Sequence, residues 1–125
     1  MNELHPNFRQ AICASVNSDH RQHKMGAAVF YKNQFLAAGF NSLKTHPFTH
    51  YYDHAYTRHA ELHAVAKAKV KKFDLTNTSI YIFRQTKDGD IAMARPCQMC
   101  LDYLIMEGIK KVFFTNYGGW ERLRL

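Results

Sequence analysis

Apolar residues recur along the chain in two rhythms. Phe8, Ile12 and Val16 stand every fourth residue, which predicts an amphipathic helix over residues 6 to about 19, with Pro6 in its first turn. Gly26 to Tyr31 and Phe35 to Phe40 are short apolar runs joined by Lys32, Asn33 and Gln34, the pattern of a hairpin. Asn41 to Thr57 is polar, rich in His and carries Pro47, so it reads as a long loop of a kind that usually serves function. From His59 to Phe73 the helical rhythm returns, with Leu62, Val65, Ala66, Val70 and Phe73 on one stripe. Ser79 to Arg84 is rich in β-branched and aromatic residues and predicts a strand. A turn at Lys87-Asp88-Gly89-Asp90 leads to Pro96, which opens a helix running to Glu107 and ended by Gly108. Lys111 to Thr115 is the next strand, Asn116 to Gly119 a turn, and Trp120 to Leu125 a short last strand. The order α-β-β-α-β-α-β-β implies a mixed sheet with helices on its faces.

Composition narrows the class without naming a function. A length of 125 residues is that of one domain, and 46% hydrophobic with 22% charged residues excludes a disordered chain. No apolar run approaches the ~18 residues a membrane span needs. The first residues hold Glu3, His5 and Arg9 around no apolar stretch, so no secretory signal is expected. Three Cys is a small, odd number, which favours a reducing cytoplasm over a disulfide-stapled secreted domain. The formal charge of +7 suits an anionic ligand, a nucleotide phosphate or a nucleic acid. Lys67, Lys69, Lys71 and Lys72 read as a solvated helix face.

Chemistry concentrates in two short motifs. Cys97 and Cys100 follow Pro96 on the first turn of a predicted helix, where the i, i+3 spacing puts both thiols on one side. A helix N-terminus favours their thiolate forms. This is half a metal site, and His59 and His63, with Glu61 between them, are the nearest N-terminal candidates to complete it. A thiol–disulfide couple is the redox alternative, but it would give the His/Glu motif no role. A closed structural site of His59, His63, Cys97 and Cys100 is the other.

Taken together, His59-Ala60-Glu61 followed by Pro96-Cys97-Gln98-Met99-Cys100 resembles the cytidine/deoxycytidylate deaminase superfamily. Gly26-Ala27-Ala28-Val29 and Gly39-Phe40-Asn41 resemble its first hairpin, so the likeness runs from about Pro6 to Thr115. The resemblance implies a three-layer α/β/α sandwich around a five-stranded mixed sheet. It implies Zn²⁺ held by His59, Cys97 and Cys100, Glu61 as the proton carrier, and Asn41 and backbone groups around Ala60 on the substrate. Small free-cytidine deaminases usually carry Cys-Ala-Glu and an acidic residue two places after that asparagine. This chain has His59 and Leu43 there, closer to the deoxycytidylate and tRNA-adenosine enzymes. Those continue into a further helix and a parallel fifth strand, whereas the few residues after Thr115 are too short for a crossover of about a dozen. A C-terminal hairpin is therefore expected, as in the free-cytidine group.

The implied reaction is hydrolytic deamination of a cytosine nucleotide or nucleoside, dCMP foremost. The rivals are a deaminase acting on a base within RNA or single-stranded DNA, and a Cys₂His₂ zinc module that binds nucleic acid without catalysis. His20, Arg21, His23 and Lys24 cluster where a substrate phosphate would be received. His46, His50 and His54 read as substrate-loop histidines ahead of a second metal site. Tyr51, Tyr52 and Tyr56 are candidates for base stacking or subunit packing. Tyr117 and Trp120 read as hairpin residues first, and Cys13 as a small core residue. The resemblance also implies a homo-oligomer.

Overall fold

Alternation along the strands decides which helix covers which face of the sheet. The computed structural model describes residues 4–20, 22–42 and 59–125. Its elements are α1 (Phe8–Ser15), β1 (His23–Tyr31), β2 (Gln34–Phe40), α2 (Ala60–Val70), β3 (Ser79–Thr86), α3 (Gln98–Met106), β4 (Lys111–Asn116) and β5 (Gly119–Arg124). Ala27, Val29, Ile80, Ile82, Val112 and Phe114 point to one side and meet Ala64 and Val65 of α2 and Leu101 and Leu104 of α3. Their neighbours Ala28, Phe30, Tyr81, Phe83 and Phe113 point to the other side and meet Phe8 and Ala11 of α1. The result is the three-layer α/β/α sandwich.

The five strands lie in the order β2-β1-β3-β4-β5. β1 pairs antiparallel with both β2 and β3, so the strands either side of it run the same way, and β3 pairs parallel with β4. Lys32 and Asn33, both at positive φ (48° and 68°), make the two-residue turn between β1 and β2. β5 returns antiparallel along β4, with Thr115 opposite Trp120, which is the expected C-terminal hairpin. Asn116 stabilises its turn by accepting the Gly118 N–H at 2.9 Å. Gly108, at φ 95°, ends α3 in the left-handed conformation that a Cβ disfavours. Among the described residues no helix is long and apolar enough to cross a membrane.

The helix faces match the sequence expectation in part: Phe8, Leu62 and Val65 are buried, whereas Val16, Val70 and Phe73 are not. In α1 the buried residues are Phe8, Ala11 and Ser15, while Val16 is 70% exposed. Cys13 is exposed and not a core residue. In α2 the buried set is Ala60, Glu61, Leu62, Ala64, Val65 and Ala68, with Val70 70% exposed and Phe73 at the surface. One physical cause accounts for both shifts. A Cβ on Gly26 of β1 would lie 1.8 Å from the Ala11 carbonyl oxygen, and one on Gly39 of β2 would lie 2.4 Å from the Ala64 nitrogen. At these two contacts the helix backbone sits so near the strand that a large side chain has no room, so Ala11, Ser15 and Ala64 face the glycines, while Phe8, Leu62 and Val65 are buried elsewhere on the same helices. Gly26→Ala is therefore expected to destabilise the fold by about 3 kcal/mol, because its Cβ meets backbone that cannot move alone. Urea unfolding should show a lower midpoint at unchanged slope.

Candidate active site

Two helix N-termini meet beside the sheet and carry the chemically active residues. His59 is the N-cap of α2, with extended backbone at φ −77° and ψ 143°. Cys97 is the N-cap of α3, also extended at φ −68° and ψ 166° after Pro96. The Ala94 N–H donates to the Thr115 carbonyl at 2.9 Å, which holds the segment before Pro96 against the end of β4. One ligand atom each from His59, Cys97 and Cys100 lies within 4.8 Å of the others, and Cys100 Sγ stands 3.5 Å from His59 Nδ1. Cys97 is exposed and Cys100 buried.

Glu61, the second residue of α2, is buried beside this trio. Burial raises its carboxyl above the usual range, against the pull of its own backbone N–H, His59 and Cys100. Burial likewise pushes the Cys100 thiol up, and the neighbouring Glu61 and Cys97 add to it. The donor set fits zinc: two sulfurs and one imidazole nitrogen, close enough to share an ion, match a three-ligand site whose fourth position stays open.

His63 does not join them. Its Nδ1 accepts the Phe40 N–H at 3.0 Å, and its ring packs edge-on against Phe40 with centroids 4.8 Å apart. That bond ties α2 to the end of β2, so the four-ligand structural site is not assembled in this conformation.

A cleft of about 300 Å³ opens over the trio, lined among others by His23, Asn41, Glu61, Arg84, Arg95 and Cys97. Asn41 is tightly engaged. Its Oδ1 accepts from Ser18 Oγ at 2.6 Å and from the Met25 N–H at 2.9 Å, while Nδ2 donates to the His23 carbonyl at 2.8 Å. Among the described residues, one amide hydrogen of Nδ2 has no partner. His20 Nδ1 accepts the His23 N–H at 3.1 Å, shaping the entry to β1. The His23 ring stands 2.9 Å from Arg84 Nη2 through its Nδ1. Burial, then the charges of Arg84 and His20, lower its pKa from the ordinary value, so the ring is a neutral acceptor at pH 7.

Of the basic cluster expected from sequence, His20 and His23 line the cleft. Arg21 lies outside the described residues, as do Leu43, His46, His50, His54, Tyr51, Tyr52 and Tyr56. Trp120 packs with Phe8 and Phe113 on the α1 side, and Tyr117 is exposed at the hairpin tip. Arg84 and Arg95 are cleft residues that sequence reasoning passed over. Their only signal was position, one ending the strand before the Cys motif and the other directly preceding Pro96.

A three-layer sandwich with a His-Cys-Cys cluster at paired helix N-termini and a buried Glu beside it has the architecture of the cytidine deaminase-like fold. The chain belongs to the family described as the cytidine and deoxycytidylate deaminase zinc-binding region, whose profile matches residues 1–116. Among solved structures it is similar to the dCMP deaminase of cyanophage S-TIM5 in apo form, at 21% identity and a TM-score of 0.63, covering 90% of this chain and 86% of that one. The same enzyme in complex with dCMP and dUMP matches at 20% identity and a TM-score of 0.61, over 91% and 85% of the two chains. Cytidine deaminase from Mycobacterium leprae matches at 17% identity and a TM-score of 0.60, over 91% and 87%. No curated protein sequence matches at a significant level.

Proposed function

We propose that residues 1–125 form one zinc-dependent deaminase domain that converts a cytosine nucleotide, dCMP foremost, to its uracil counterpart with release of ammonia. The observation that carries this reading is the buried Glu61 carboxyl beside the clustered donor atoms of His59, Cys97 and Cys100, with His59, Glu61 and Cys97 lining the cleft. Family membership and the cyanophage relative crystallised with dCMP and dUMP support it.

His59, Cys97 and Cys100 would hold the zinc, which supplies the Lewis acidity that makes water a competent nucleophile near neutral pH. Glu61 moves the proton. It accepts one from the attacking water and returns it to the ring nitrogen of the base. It then carries the second proton from the added hydroxyl to the exocyclic amine, which leaves as ammonia as the C–N bond breaks and the C=O forms. The Ala60 N–H belongs to the first turn of α2, where backbone donors lack helical acceptors, and is offered to the edge of the base. Asn41 directs its remaining amide hydrogen to a sugar hydroxyl. The other residues around the cleft orient the nucleotide and limit the access of bulk water.

All three cysteines are free thiols, which accords with a reducing, cytoplasmic setting. Ile105 and Met106, exposed on α3, suit a contact between copies of the chain.

The test is ammonia release by the zinc-loaded protein from dCMP, deoxycytidine, cytidine and a cytosine-containing oligonucleotide, at two salt concentrations. Turnover of dCMP with a weak salt dependence is expected. Reaction of the oligonucleotide alone, with a steep salt dependence, would assign a polynucleotide substrate instead. No release from any of the four would remove the catalytic reading.

A further inference from the structure

Arg84 stands two residues before the end of β3. It pairs across to Met25 of β1, and its side chain lines the cleft. Nη1 donates to the Met93 carbonyl at 3.2 Å and Nη2 meets His23 Nδ1 at 2.9 Å, while Nε is buried with no hydrogen-bond partner among the described residues. Both fixed partners are neutral acceptors. The ion pair among the described residues is Lys69 with Glu107, so no described carboxylate neutralises Arg84. Arg95 lines the same cleft, and the one acid there, Glu61, belongs to the catalytic end.

A partly desolvated guanidinium without a counter-charge is costly to keep. Here two bonds to neutral acceptors hold it in place and, among the described residues, leave Nη hydrogens and its charge without a carboxylate partner, the arrangement that receives a bidentate anion. His23 links this group to the sugar end of the cleft. Its backbone carbonyl holds Asn41 and its ring holds Arg84, so the two lie one residue's span apart. The cleft volume of about 300 Å³ is at the small end of ligand sites, suited to one nucleotide.

We infer that Arg84, assisted by Arg95, is a specificity-determining residue that recognises the terminal phosphomonoester of the substrate. The inference rests on the deaminase reading and names what that reading leaves open: selection of a nucleoside monophosphate over the nucleoside or an internal phosphodiester. His23 acts as a positioning residue, aiming the guanidinium from the entry of β1.

The experiment compares wild type, Arg84→Gln and Arg84→Lys, all zinc-loaded, on dCMP, deoxycytidine and a cytosine oligonucleotide without a terminal phosphate. It reads kcat/KM for each substrate and calorimetric Kd for dCMP and deoxycytidine. Arg84→Gln is expected to lose roughly 10- to 100-fold in kcat/KM on dCMP, the scale of one or two charged hydrogen bonds. Deoxycytidine should change by less than about threefold, and Arg84→Lys should recover part of the loss, since charge returns without the fork. Equal losses on dCMP and deoxycytidine would overturn the inference, as would no loss or a loss confined to the oligonucleotide. If wild type deaminates nothing, the deaminase reading fails by itself and binding still decides this one. Tighter binding of dCMP than of deoxycytidine, abolished in Arg84→Gln, upholds the anion site, and equal binding removes it.

Discussion

Glu61→Gln should yield a folded, zinc-loaded protein whose deamination rate is lower by roughly 10² or more, the usual scale for loss of a general acid–base group. The amide fills the same space in the buried pocket of α2 and keeps a carbonyl oxygen, so packing changes little. It removes the one property the mechanism needs, a carboxylate that takes a proton from water and returns it to the base. Zinc content by elemental analysis, the thermal unfolding midpoint and ammonia release together make the check. Normal activity in a zinc-loaded variant would eliminate Glu61 as the proton carrier and with it the mechanism.

Cys100→Ser has the second large expected effect. Cys100 is fully buried between α3 and the floor of the cleft, 3.5 Å from His59 Nδ1, and a serine hydroxyl is a poor substitute for a thiolate on zinc. Zinc affinity should fall by at least about 100-fold, since even loss of groups that merely orient ligands can cost that much. Activity should disappear with the metal, and the variant should melt earlier, because metal binding energy is also folding energy. His63→Ala is the matched control. It loses the bond to Phe40 and some stability, yet should retain stoichiometric zinc, because the His63 Nδ1 is spent on β2. Measuring bound zinc in both variants against a chelator of known affinity separates a three-ligand site from a four-ligand one. Retention in Cys100→Ser with loss in His63→Ala would reverse the assignment.

Each active-site motif was legible as a helix opening because it is local, whereas joining the two rested on the resemblance to the deaminase superfamily. His59-Ala60-Glu61 and Pro96-Cys97-Gln98-Met99-Cys100 each open a helix, and the i, i+3 spacing of Cys97 and Cys100 puts their thiols on one side. What remained illegible was assembled from distant segments. Asn41 was legible as a candidate for the sugar, but its clasp on Ser18, Met25 and His23 depends on β2 returning beside the entry to β1. Arg84 gave no sign by itself. It becomes a cleft residue only because β1 and β3 run antiparallel in a register that sets Met25 opposite Arg84 and brings the His23 ring to its guanidinium.

The sequence by itself determined the kind and order of the elements and the C-terminal hairpin, because period, turn chemistry and capping are set by near neighbours. Tertiary structure decided how each helix is turned about the face that the sequence marked. Val16, Val70 and Phe73 carry a strong hydrophobic signal yet stay exposed, while Ala11, Ser15, Ala64 and Ala68 are buried. Hydrophobic size reports what gains from leaving water, but not how close two backbones come. Where Gly26 and Gly39 bring helix and strand nearly into contact, room for a side chain outweighs the gain from burying a large one.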